Sequence, residues 1–156
     1  MASIEKPPRP TITDEMVIEA ARKEYPDPGE AEAIAEHFHR HMDGYELAKE
    51  LDRSSWWDCS REDVDKLDNV SAEVERLLVD AERAWCIAYD IQPSLPIGTR
   101  LRLPRGGVGE ITGIASDHSP ASYLVKDENH DDKVSGNRRY IIRFEDAVVD
   151  ATPSRG

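Results

Sequence analysis

Ser71-Ala72-Glu73-Val74-Glu75-Arg76-Leu77-Leu78-Val79-Asp80-Ala81-Glu82-Arg83-Ala84-Trp85-Cys86-Ile87-Ala88, followed closely by Ile91-Gln92-Pro93-Ser94-Leu95-Pro96-Ile97-Gly98, divides the chain into two kinds of sequence. Apolar residues fall at Val74, Leu77, Leu78, Ala81, Ala84, Trp85 and Ala88, the three-then-four spacing of one helix face. Ser71 suits an N-cap, and Glu73 and Glu75 sit where the positive end of the helix dipole favours acids. The strap that follows ends any helix, because each proline lacks an amide donor and restricts the residue before it. Upstream of the strap the periodicity is helical; downstream it is two.

Working toward the N-terminus, Ser60 followed by Asp63 forms a capping box with aspartate in the place of glutamate. It opens a short helix to about Leu67, which Asp68-Asn69 ends before the long helix begins. Ser54-Ser55-Trp56-Trp57-Asp58-Cys59 interrupts the pattern. Before it, Tyr45 to Leu51 has a helical period, and Gly44 either ends or bends the preceding helix. That helix is expected from Glu30 to about Asp43, burying Ala31, Ile34, Ala35, Phe38 and Met42. Pro26-Asp27-Pro28-Gly29 is a turn. Thr13 or Asp14 caps a first helix to about Tyr25, with Val17, Ala20, Ala21 and Tyr25 inward. Residues 1–12, with Pro7, Pro8 and Pro10, form an extended, disordered tail.

Working toward the C-terminus, Thr99-Arg100-Leu101-Arg102-Leu103 alternates, and Pro104-Arg105-Gly106-Gly107 is a turn. Val108 to Ile114 reads as a second strand whose glycines mark bends or bulges. Ala121 to Lys126 is a third. A polar loop, Asp127 to Asn137, leads to a fourth from Arg138 to Phe144, and Ala147-Val148-Val149 is a last short one. The expected fold is α+β: a disordered tail (1–12), an acidic helical subdomain (13–92), a linker (93–98), a small antiparallel β-barrel-like subdomain (99–150) and a tail (151–156).

The residues Pro96-Ile97-Gly98-Thr99-Arg100-Leu101 and Gly106-Gly107-Val108-Gly109-Glu110-Ile111-Thr112-Gly113-Ile114 resemble the opening strand pair of small Src-homology-like barrels, the KOW kind above all. The resemblance covers about a third of the chain and implies a module that binds RNA, peptides or protein surfaces. Ile12-Thr13-Asp14-Glu15-Met16-Val17 with Ala20-Ala21 resembles the openings of small phage and prophage proteins.

Charge sharpens the functional expectation. The net charge is −12, and residues 1–95 hold 11 Lys and Arg against 23 Asp and Glu, whereas residues 96–156 hold nine of each. The helical half therefore carries the whole surplus. Such a surface repels nucleic-acid phosphates and attracts a basic protein surface. No apolar run of about 18 residues exists to cross a bilayer. The first ten residues lack the apolar stretch of a secretory signal, and two cysteines make no disulfide framework. A cytoplasmic protein is expected.

Catalytic motifs are missing. No nucleophile elbow or phosphate-cradling glycine loop is present. Asp58 raises the pKa of a neighbouring Cys59 thiol, the wrong direction for a nucleophile. His37 and His41, four apart, share one face of the expected second helix, with Asp43, Cys59, His118 or His130 as distant further zinc ligands. The set lacks a close second pair, so a solvated face and no cofactor are expected.

Two adjacent tryptophans do not both enter one core from a helix or strand, so Trp56 and Trp57, with Asp58, Glu62, Asp63 and Asp65, are the candidate partner-binding residues. The expectation is a non-catalytic inhibitor of phage or prophage type, resembling anti-CRISPR and other anti-defence proteins. Its acidic helical face occupies a basic, nucleic-acid-binding surface of a host complex. The alternative is a module whose Arg100, Arg102, Tyr123, Arg138 and Arg139 hold a small anion, a nucleotide or RNA.

Overall fold

The computed structural model describes residues 6–115 and 119–151. It is α+β: four helices precede a four-stranded antiparallel sheet curled into a half-barrel. The chain divides into two compact units between Ala81 and Glu82, within the fourth helix. Among the described residues no helix is long and apolar enough to cross a membrane.

In the first unit, residues 6–12 have no regular secondary structure, yet Arg9 is buried and Ile12 packs on the helical core; residues 1–5 of the expected tail lie outside the described residues. Helix α1 (Asp14–Arg22) starts where Thr13 Oγ1 accepts the Met16 amide, and it buries Val17, Ala20 and Ala21 as its spacing requires. Helix α2 (Pro28–His37) starts two residues earlier than expected. Asp27 accepts the amides of Gly29 and Glu30, and Pro28 stands at the first helical position, where its missing amide costs nothing.

The same helix ends six residues early. Phe38 turns to extended backbone (φ −74°, ψ 131°), and the Met42 amide closes a turn on the His39 carbonyl. Phe38 and Met42 still pack on the core, but from this turn rather than from a helix. His41, at φ 72°, is left-handed, so His37 and His41 share no helix face. Gly44 neither ends nor bends a helix. It opens α3 (Gly44–Ser55), capped by Asp43, and a Cβ there would collide with the Val64 carbonyl and the Asp68 amide.

Helix α4 runs unbroken from Arg61 to Ala88 over 28 residues. Its capping box forms as read: Ser60 Oγ accepts the Asp63 amide at 3.2 Å, and Asp63 Oδ2 accepts the Ser60 amide at 3.0 Å. Asp68-Asn69 does not end a helix and Ser71 caps none. Asp68 Oδ1 instead accepts the Gly44 amide, and the Ser71 hydroxyl donates to the Met42 carbonyl at 2.8 Å. Both helix-breaking side chains serve the entrance of α3, and residues 61–88 contain neither proline nor glycine. Leu67, Val70, Val74 and Leu78 are buried, but Ala84 and Ala88, expected inward, are exposed. A fully buried leucine or valine contributes about 1.5–3 kcal/mol, against under about 1 kcal/mol for an exposed ion pair. The apolar stripe, not the charges, therefore holds α4 in place.

In the second unit, β1 (Arg100–Arg102), β2 (Val108–Ala115), β3 (Ser122–Asp127) and β4 (Tyr140–Arg143) pair in the order β1-β2-β3-β4. The register slips between Ile111 and Gly113, a bulge at the glycine-rich stretch. A Cβ on Gly109 would press on Val125 Cγ1 and the Lys126 carbonyl, so only glycine closes the β2–β3 pair there. After β4, a 3₁₀ turn (Phe144–Asp146) returns the chain to β1. There Val149 bridges Leu101, and the Arg102 and Asp150 amides bond the Val148 and Arg100 carbonyls at 2.9 Å each. Leu101, Leu103, Ile111, Tyr123, Val125 and Ile142 form the core. The polar loop holds one short helix that its composition does not suggest, α5 (Asp132–Ser135), capped by Asp131.

Candidate interaction surface

The linker between α3 and α4 is pinned at several points. Trp57 stands edge-on to the buried Tyr25 ring, centroids 5.4 Å apart at 63°. The Tyr25 hydroxyl donates to Asp63 Oδ1 at 2.7 Å, the same carboxylate whose other oxygen completes the capping box. Asp52 Oδ1 accepts the Cys59 amide at 2.9 Å. Residues 57–60 are thereby held on both flanks, and Trp56 is the linker's exposed large apolar side chain, with Asp58 and Ser60 exposed beside it.

Trp56 is 93% exposed. It caps α3 in the left-handed conformation (φ 59°, ψ 28°), its amide turned back on the Leu51 carbonyl. Glycine is the usual residue at such a cap, because a Cβ crowds the following carbonyl at a cost of about 1–2 kcal/mol. A bulky indole here is unfavourable on two counts, backbone strain and exposed apolar area.

Acids collect around the linker. Burial first, then a hydrogen bond to Asp52 and the charges of Asp52, Asp63 and Asp58, push the Cys59 thiol up to about 12. Burial, the bond to Asp63 and the charges of Asp63, Cys59 and Glu30 raise the Tyr25 hydroxyl far above its ordinary value. Asp63 is itself held below the usual carboxylate range, chiefly by the Ser60 amide and then by Tyr25. Among the candidate residues, Trp56, Asp58, Glu62 and Asp65 are exposed, whereas Trp57 and Asp63 turn inward and brace the linker. Glu62 lies 3.6 Å from Lys66. Elsewhere in this unit Asp14, Glu15, Glu30, Glu32 and Glu36 are exposed and form no ion pair among the described residues.

Of the residues of the alternative, Arg138 and Arg139 line one cavity with His130 and Tyr140, whereas Arg102 lines another. Strands β1 and β4 pair with β2 and β3, not with each other. Arg100 binds Glu128 at 2.9 Å and lies 3.8 Å from Asp150. Arg139 grips Asp132 through two bonds of 2.8 Å and donates to Thr112 Oγ1 at 3.1 Å. That pairing holds the Asp132 carboxyl down at about 2. Tyr123 is fully buried against Phe144, and its hydroxyl accepts the Ser94 and Leu95 amides at 3.2 Å each, tying the proline strap to the sheet. Arg102 and Arg138 are exposed. Glu128, Asp150 and Asp132, the carboxylates beside Arg100 and Arg139, belong to the sheet's own unit.

His37 Nε2 lies 3.1 Å from Ser55 Oγ, and His130 Nε2 3.3 Å from Asp132. Among the described residues no group of three or more His, Cys, Asp and Glu is placed to hold a metal ion; His118 lies outside them. Sequence reading missed the left-handed cap that turns Trp56 outward, for which a helical run ending at Ser54-Ser55 before two tryptophans was the available signal. It also passed over Ile141 on β4, although the paired isoleucines at 141 and 142 force one of them to face out. The chain matches no protein-family model, no curated protein and no solved structure.

Proposed function

We propose that this chain is a non-catalytic binding protein, a phage- or prophage-type inhibitor that sets Trp56 and the surrounding acids on a basic, nucleic-acid-binding surface of a host defence complex. The observation that carries the reading is Trp56, a fully exposed indole in a backbone conformation that disfavours it, on a linker braced from both sides. Local strain of this kind, with no compensating side-chain contact among the described residues, marks functional positions. Asp58, Glu62 and Asp65 supply the rim charge expected around an aromatic anchor. The C-terminal unit is read as a Src-homology-like barrel, supported by the strand order, the 3₁₀ turn after β4 and the return of Val149 to β1. The anion-binding alternative is weakened by the carboxylates on Arg100 and Arg139 and by the burial of Tyr123.

The test is capture of a partner from host lysate over a salt series, with wild type and Trp56→Ala, in the presence and absence of heparin or duplex DNA. The expected partner is lost as salt rises, is displaced by either polyanion and is not retained by Trp56→Ala. Capture indifferent to salt, polyanion and Trp56 overturns the proposal.

A further inference from the structure

Strand β4 ends the sheet. The Phe144 amide donates to the Ala121 carbonyl at 3.0 Å, and the register pairs Arg143 with Ser122 and Ile142 with Tyr123. Hydrogen-bonded pairs alternate along an antiparallel ladder, so Tyr140 and Ile142 turn their backbone groups toward β3. Ile141 and Arg143 turn theirs away, to an edge with no strand beside it among the described residues.

A trough of about 550 Å³ lies along this edge, lined among others by Arg102, Leu103, Ile141, Ile142, Arg143 and Val148. Its surface is apolar where Ile141 is 53% and Val148 52% exposed. Arg102 and Arg143 form no ion pair or side-chain hydrogen bond among the described residues, unlike Arg100 and Arg139. Asp146 is the one acid in the lining, leaving a positive balance.

We infer that the β4 edge is a second binding site, which takes an extended acidic segment of a partner protein as an added strand. The outward amides and carbonyls of Ile141 and Arg143 supply the main-chain bonds. Ile141 and Arg143 are two apart and share a sheet face, so residues opposite them on the added strand share that face too. The segment that fits carries an apolar residue against Ile141 and an acid two places away against Arg143. A second copy of this edge fits less well, since it brings arginines against arginines. The site lies apart from Trp56 in sequence and unit, so its test is independent of the reading above.

The probe is a fluorescein-labelled peptide repeating Val-Thr-Glu-Thr, titrated by anisotropy against its lysine-for-glutamate counterpart. Saturable binding of the acidic peptide alone is expected, weakened at least tenfold by Arg102→Glu with Arg143→Glu. Ile141→Pro, which deletes an outward amide and spares the ladder to β3, is expected to do the same. In unmutated protein, the peptide is expected to slow exchange of the Ile141 and Arg143 amides and leave that of Ile142 unchanged. No saturable binding, equal binding of the lysine peptide, or binding without that protection overturns the inference. Protection that grows with protein concentration alone overturns it too, assigning the edge to a second copy.

Discussion

The hydroxyl of Tyr25 donates to the carboxylate of Asp63 at 2.7 Å, joining the residues just past α1 to the first turn of α4. The same carboxylate closes the Ser60 capping box, and the same ring receives Trp57 edge-on. One side chain thus starts the longest helix, and one ring orients the linker from which Trp56 projects.

Tyr25→Phe is expected to cost about 1.5 kcal/mol near neutral pH, at the lower end for a bond to a charged group because Asp63 keeps some solvent contact. The folded hydroxyl titrates well above the ordinary 10.0. Stability from this group is therefore full below pH 10 and is lost as pH rises beyond it, because the unfolded phenol ionises first. Urea unfolding on both sides of pH 10 checks this. The wild type should lose stability faster than Tyr25→Phe, and identical alkaline slopes would contradict the assignment.

Glu73 is held down at about 2, against 4.5, by hydrogen bonds from Arg76 and then Lys23. A depressed carboxyl stabilises the fold above its unfolded pKa and stops doing so as pH falls through the folded one. Wild type and Glu73→Gln should differ at pH 7, and their unfolding midpoints should converge between pH 4.5 and about 2. A constant gap down to pH 2 would rule this out.

Gly44→Ala places a methyl group against two backbone groups of α4, which do not yield as a flexible side chain does. Overpacking of this kind costs about 3 kcal/mol, the upper part of its usual range. Thermal unfolding should show a large drop. A neutral result would mean that the two helices lie farther apart than described.

Trp56→Gly should raise stability by about 0.5–1 kcal/mol, since glycine adopts the left-handed cap without strain but gains freedom in the unfolded chain. The same variant should lose salt-sensitive capture of the partner. Stability and binding moving in opposite directions is the expected signature; loss of both would make the indole a structural residue.

Local signals were read well where the side chains involved lie close in sequence. The Ser60–Asp63 box, the inward face of α1 and the four strands each depend on residues within a few positions of one another. Asp68, Asn69 and Ser71 misled because their breaking tendency is a preference for nearby backbone groups. Distant Gly44 and Met42 engaged Asp68 and Ser71 instead. At the candidate surface the sequence marked two tryptophans but not which one faces out. That was settled by Tyr25, more than 30 residues away.

The sequence by itself determined the order of the parts and the acid surplus of the first half, because periodicity, capping and charge are properties of short segments. Only the tertiary structure decided, among the described residues, which indole is exposed, where the sheet keeps an open edge and that Arg102 and Arg143 stand there without an ion pair. Those outcomes are contests for partners among residues distant in the chain, and they are resolved when the chain packs.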